Sequence, residues 1–175
     1  RAVPSTLSEV NKETSWREMP HSQESEQALL GALLVNNNGL EKVSEFLRPE
    51  HFFVPVHGRI YQSILTFFER GLNATPVTIK QYFEHDEDLK AIGGAAYLVE
   101  LASVVVSVMN VEDFARTIFE HHLRREIIHL GENLVGEAYK HDINNPAMHQ
   151  VEMAERKLYE LAQFGDFKGG FTKLE

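Results

Sequence analysis

Residues 111–164 read VEDFARTIFEHHLRREIIHLGENLVGEAYKHDINNPAMHQVEMAERKLYELAQF, and this stretch decides the fold. Asn110 can cap a helix that continues unbroken from Val111 to about Lys140. Its apolar positions Leu123, Ile127, Leu130 and Leu134 recur at spacings of 4, 3 and 4. His141–Asn145 is a turn, with Asn145 as cap and Pro146 at the first position of the next helix. There Ala147, Val151, Ala154, Leu158 and Leu161 repeat the pattern at 4, 3, 4 and 3. Two such stripes with a short turn between them predict an antiparallel helical hairpin. Thirty helical residues span about 45 Å. A compact domain of ~100 residues has a radius of gyration near 13 Å, so the hairpin should project from the rest. Phe114, Ile118, Phe119, Ile128, Val135, Tyr139 and Tyr159 lie off the stripe. Two helices cannot cover all of these, so a partner surface is expected, most simply a second copy.

Upstream of the hairpin the helices are shorter. Ser22 can cap a helix whose first turn holds Glu24 and Glu26, and Leu29, Leu30, Leu33 and Leu34 follow at helical spacing. Asn36-Asn37-Asn38-Gly39 stops it, and a short helix around Glu41–Phe46 follows. Pro49–Phe53 is a turn presenting Phe52 and Phe53. From Pro55 a longer helix runs to Gly71, burying Ile60, Ile64, Leu65, Phe67 and Phe68. Thr78-Ile79-Lys80-Gln81 reads as a capping box for a helix to about His85. The acidic run Glu84–Asp88 reads as a solvated loop. Gly93-Gly94 is a turn before the apolar helix Ala95–Leu101. No stretch alternates with period 2, so the fold class is all-α: a compact globular helical bundle followed by a long antiparallel hairpin.

Composition bounds the function. The 175 residues are 43% apolar and 25% charged, the proportions of a soluble globular protein. No apolar run reaches the ~18 residues of a membrane span. Residues 1–19 lack the apolar core of an export signal and read as a flexible arm, with Trp16 able to dock. The chain begins at Arg1 rather than Met, as a piece of a longer protein would. Cysteine is absent, which removes disulfides, thiolate metal sites and cysteine nucleophiles and fits a cytoplasmic protein. The net charge of −9 argues for weak DNA binding or none, because phosphate affinity comes from Lys and Arg. No catalytic constellation stands out. Gly131–Gly136 approaches a P-loop but has Glu137 where Lys is required. His122, Glu126 and His129 share a helix face without a known metal signature; a helical enzyme using this face is a third-ranked reading. Arg124-Arg125 can hold a partner's carboxylate or simply face solvent. No catalytic, cofactor or metal residue is assigned.

One resemblance runs through the chain. Pro20-His21-Ser22-Gln23-Glu24-Ser25-Glu26-Gln27-Ala28-Leu29-Leu30-Gly31 resembles the opening signature of the N-terminal domain of bacterial DnaB-type replicative helicases. Pro49-Glu50-His51-Phe52-Phe53, His57-Gly58-Arg59-Ile60, Gly93–Leu101 and Asn110-Val111-Glu112 with Ala115 and Ile118 are similar to further motifs of that family, in the same order. Ser25 and His51 stand where Ala and Asp are common, and residues 102–109 lack the usual Pro.

The resemblance implies a collar domain of a hexameric, ATP-driven helicase. It implies residues 20–106 as the globular part and 107–165 as a hairpin for self-association. It implies 166–175 as the start of a linker to a RecA-like motor, which would hold ATP and Mg. The partners implied are a second copy, in a trimer of dimers, the C-terminal domain of primase, and possible helicase loaders. By the family pattern, primase contacts fall on Glu24, Tyr97, Ile128 and Leu134. Self-association is expected to rest on Phe119, Ile127, Leu130, Leu158 and Leu161. The alternative is an unrelated all-α adapter that dimerises through its hairpin.

Overall fold

A computed structural model describes residues 17–104 and 111–166, so Trp16, the Asn110 cap and the expected linker lie outside the described residues. Among the described residues eight α-helices follow in order: α1 Gln23–Val35, α2 Leu40–Val43, α3 Pro55–Glu69, α4 Pro76–Ile79, α5 Glu87–Ala91, α6 Ala95–Ser103, α7 Val111–Ala138 and α8 Ala147–Asp166. Short 3-10 turns occupy Asn37–Gly39, Pro49–His51 and Lys80–Phe83. There is no strand among the described residues, and no described helix is long and apolar enough to cross a membrane.

α1 is the hub. The Ser22 hydroxyl accepts from the Ser25 N–H, as the sequence predicts. Ala28, Leu29, Leu30, Leu33 and Leu34 are buried, so the helix is enclosed on nearly every side. It packs on α3, α6 and the first half of α7. Gly31 makes the α6 approach possible: a Cβ there would stand 2.1 Å from the Leu101 carbonyl oxygen. Gly93 and Gly94, with φ of 122° and 64°, turn the chain into α6 in a conformation that side chains disfavour. Ile60, Tyr61 and Ile64 of α3 complete the core with Leu40, Val43 and Leu47.

Three local expectations are corrected. The capping box opens one turn earlier than expected: Thr78 N–H donates to the Thr75 hydroxyl at 3.2 Å and Thr75 N–H to the Thr78 hydroxyl at 2.8 Å. Pro76 explains the shift, since its fixed φ starts the helix at the next position. The acidic run is not a plain loop. The Asp86 carboxylate caps α5 by accepting from the Leu89 N–H, and Arg59 donates to Asp86 and Asp88 from its fork. That guanidinium holds the Asp86 carboxyl below the usual carboxylate range.

The third correction concerns the hairpin boundary. α7 is 28 residues long, about 42 Å, and its buried residues are Ala115, Ile118, Phe119 and Arg125, all in its N-terminal part. That part belongs to the globular core, so packing changes near Arg125 rather than at residue 107. Beyond Arg125 no residue of α7 is buried, and no described residue of α8 is. The 4-3-4 stripe does not mark one buried face either. Leu123, Leu130 and Leu134 are half-buried, whereas Ile127 is 56% exposed. The core covers one side of α7 near its start, and α8 covers another side near its end.

Candidate interaction site

Two surfaces stand out, and a buried polar relay supports one of them. Glu26 lies on the apolar stripe of α1 at 1% exposure. Its carboxylate accepts from the Phe53 and Val54 N–H groups at 2.9 and 3.2 Å and from His57 Nδ1 at 2.9 Å. With Nδ1–H facing that carboxylate, His57 Nε2 accepts the Tyr97 hydroxyl at 2.6 Å. Gln27 donates to the same Tyr97 oxygen at 3.2 Å. No buried side-chain polar atom among the described residues lacks a partner. Burial pushes the Tyr97 phenol above its usual range. A saturated, harder-to-ionise hydroxyl is a poor nucleophile, so the relay's work is to hold α1, α3, α6 and the turn before α3 in register.

Arg125 does similar work for α7. It donates to the carbonyls of Pro20 at 2.7 Å and His51 at 2.8 Å, and its guanidinium lies 5.4 Å from the centre of the Phe53 ring. It is therefore a buried tie rather than a free surface cation, which settles the reading of that basic pair; Arg124 stays on the surface with Glu120. His51, in the position where Asp is common, accepts the Arg48 N–H through Nδ1 at 2.9 Å, an acceptor role that a carboxylate also fills. Burial, then His122, Arg48 and Arg125, lowers the His51 pKa to about 3.

The first surface is a groove of about 320 Å³ between α1, α6 and the start of α7. Glu24, Ala28, Tyr97, Glu100, Val104 and Phe114 line it. Glu24 is exposed at the rim and Tyr97 is buried beside it, so the structure brings together two of the four expected partner contacts. The second surface is the hairpin. A groove of about 700 Å³ runs between α7 and α8 past Leu130, Leu134, Met153 and Ala154. Ile128 and Leu134 are half-buried on α7, on the hairpin side of Arg125 rather than in the first groove.

The expected pairing residues divide. Ile127 and Leu158 are open to solvent, and Leu130 and Leu161 are half-buried. Phe119 is a correction: at 1% exposure it is packed within the chain against Phe46 and His51. Its apolar area is already removed from water and has none left to offer a second copy. Among the described residues no group of three or more His, Asp or Glu is placed to hold a metal; His122 is half-buried against His51 while His129 is exposed.

The sequence reading missed Glu26, His57 and Arg125. A charged residue on an apolar stripe was the available signal: Glu26 with Leu29, Leu30 and Leu33, and Arg125 with Ile118 and His122. Their partners lie tens of residues away, so spacing alone does not reveal them.

The family model described as DnaB-like helicase N terminal domain matches residues 18–120. The replicative DNA helicase DnaB of Rickettsia conorii is 42% identical over 158 residues, covering 90% of this chain and 32% of that protein. The Geobacillus stearothermophilus replicative DNA helicase DnaB is 34% identical over 144 residues, covering 82% of this chain and 31% of that protein. The chain thus spans about a third of the length of these curated relatives. The crystal structure of the N-terminal domain of DnaB helicase from Mycobacterium tuberculosis superposes with a TM-score of 0.73 at 30% identity, covering 82% of this chain and 99% of that one. A DnaB-like replicative helicase solved for its interactions with primase gives 0.64 at 25% identity, covering 83% of this chain and 32% of that one.

Proposed function

The chain belongs to the DnaB-like helicase N-terminal domain family, and on that premise we propose that it is the assembly and docking module of a replicative DNA helicase. Family membership sets aside the unrelated adapter. The module performs no chemistry of its own. Its hairpin pairs with a second copy as the first step of building a hexamer, and its surface recruits primase, so that unwinding and priming stay together. The motor, with its ATP and Mg, belongs to the rest of a longer protein.

The observation that carries this reading is the hairpin beyond Arg125. Its apolar side chains, with Ile127 at 56% and Leu158 at 52% exposure, are more than two helices can cover. Burying such a side chain fully is worth ~1.5–3 kcal/mol, so a few of them stabilise a pair. Leu130 faces the groove inside the hairpin, so a charge there would disturb the hairpin itself. Ile127 and Leu158 are cleaner probes. Sedimentation across a concentration series should show self-association that Ile127→Glu with Leu158→Glu abolishes at unchanged helicity. A wild-type chain that stays monomeric throughout, or a variant that associates equally, would overturn the pairing. Titration with the C-terminal region of primase tests docking in the same way.

A further inference from the structure

A groove of about 460 Å³ lies between the start of α1, the turn before α3 and the corner between α5 and α6. Val54, Pro55, Val56, Ile92 and the Tyr97 ring make it largely apolar. Ile92 is 45% exposed, and Phe53, which precedes Val54, is 38% exposed. The buried polar atoms of the groove are spent inside the chain: His57 bonds Glu26 and Tyr97, and the Tyr97 hydroxyl also accepts from Gln27. What remains open is apolar surface and two acceptors at exposed positions, the Gln23 amide and the Asp88 carboxylate. Arg59 meets that carboxylate on one oxygen only. An apolar ring that carries one N–H is the matching chemistry. The first described residues lead to the edge of this groove. The His21 ring stacks on Phe53 with centroids 4.1 Å apart, and Gln23 lines the groove itself. Val54 and Pro55 follow Phe53 within about 7 Å of backbone. Residues 1–16 lie outside the described residues and hold one aromatic side chain, Trp16, the only tryptophan of the sequence. Trp16 stands five residues before His21, so its backbone reaches up to about 18 Å from that anchor. The groove is within that reach.

We propose that the N-terminal arm folds back on its own chain and seats the Trp16 ring in this groove. The indole covers Val54, Ile92 and the Tyr97 ring, and its N–H donates to Gln23 or Asp88. A short tether supplies an effective concentration of about millimolar, so a weak intrinsic affinity is enough. The seated arm extends a strap that Arg125 begins by holding the Pro20 carbonyl. While the arm is seated, the groove is closed to other chains. The groove inside the hairpin suits an indole less, because Glu126, His129, Asn133 and Glu137 line it beside Leu130. The inference depends on neither hairpin pairing nor primase docking.

Intrinsic fluorescence tests this directly, because the sequence has no other tryptophan. In the full chain the emission should be blue-shifted and shielded from iodide, relative to the same chain unfolded in urea. Ile92→Asp and Ala91→Glu change exposed positions that line the groove. Each should move the emission toward the unfolded value and raise iodide quenching at least about twofold, since a charge under the ring has no partner there. Circular dichroism of each variant should match the wild type, and two variants guard against one that misfolds. Met153→Glu, in the hairpin groove, should leave emission and quenching as they are. The shielding should also be the same at every protein concentration. Trp16 as open to iodide in the folded wild type as in urea would overturn the proposal, as would shielding that survives both groove variants. Exposure caused by Met153→Glu would place the arm in the hairpin instead, and shielding lost on dilution would place it on a second copy; either result refutes the seat proposed.

Discussion

Replacing Gly31 with Ala should destabilise the protein, although the same change on a solvated helix helps. In an open helix interior Ala is better than Gly by about 1 kcal/mol, because glycine loses more backbone freedom on folding. At Gly31 the new Cβ would stand 2.1 Å from the carbonyl oxygen of Leu101 and 3.0 Å from its carbon. Favourable heavy-atom contact begins near ~3.5 Å, so α6 would have to retreat by roughly 1 Å or more. The obstacle is backbone on both sides, so no rotamer change relieves it. Retreat also loosens Leu98 and Leu101 against α1, all of them in the core. Overpacking of this kind costs ~1–3 kcal/mol, and with the propensity gain subtracted a net loss of up to about 2 kcal/mol remains. Gly131 and Gly136 on α7 have nothing within 4 Å of a built Cβ, so Ala there should stabilise by up to ~1 kcal/mol each. For a chain of this size 1 kcal/mol moves the melting temperature by about 2–4 °C. Urea unfolding gives the overall change, and amide hydrogen exchange separates the core from the hairpin. A Gly31→Ala protein that gains stability as Gly131→Ala does would refute the close approach of α1 and α6.

Two further perturbations test the buried polar groups. His51 is held neutral, its pKa lowered to about 3 chiefly by burial and then by His122, Arg48 and Arg125. Its folded value lies below the ordinary 6.5, so the unfolded chain takes up the proton first as pH falls. The stability it contributes is complete above about pH 6.5 and is lost toward pH 3, by up to ~1.4 kcal/mol per unit. The lowered His122 acts with the same sign. Urea midpoints at pH 7 and 4.5 should therefore differ in the wild type and differ less in His51→Asn; equal slopes would rule out the assignment. Arg125→Lys keeps the charge but loses the fork that joins Pro20 to His51, and one buried carbonyl is left without its donor. A loss of ~1–3 kcal/mol is expected, against less than ~0.5 for Arg124→Lys at the surface, and thermal denaturation of both checks it.

Local physics made much of this protein legible in its sequence. Ser22 as a cap, Pro55 and Gly71 bounding α3, the Gly93-Gly94 turn and the two hairpin helices all depend on neighbours within a turn or two. So does the all-α class, since helical periodicity is a property of each segment alone. The family signature was legible for another reason: it is a set of short motifs in fixed order, and residues 18–120 carry it. Even so, local rules failed where a neighbour competed. Pro76 took the helix start away from Thr78, and Arg59 turned an acidic loop into a capped, paired corner.

Tertiary packing alone decided which apolar face was spent and which stayed open. Phe119 and Ile127 are both apolar residues of one helix, two turns apart. The first is buried because the Pro49–His51 turn and Phe46 reach it, and the second is exposed because the core has ended. The same holds for charge. Glu26 and Glu24 sit in one helical turn with one chemistry, yet Glu26 is enclosed by His57 and two backbone amides while Glu24 faces solvent. Periodicity names the residues that can be buried. Which of them are buried depends on surfaces brought from 30 to 100 residues away, and no local spacing encodes those distances.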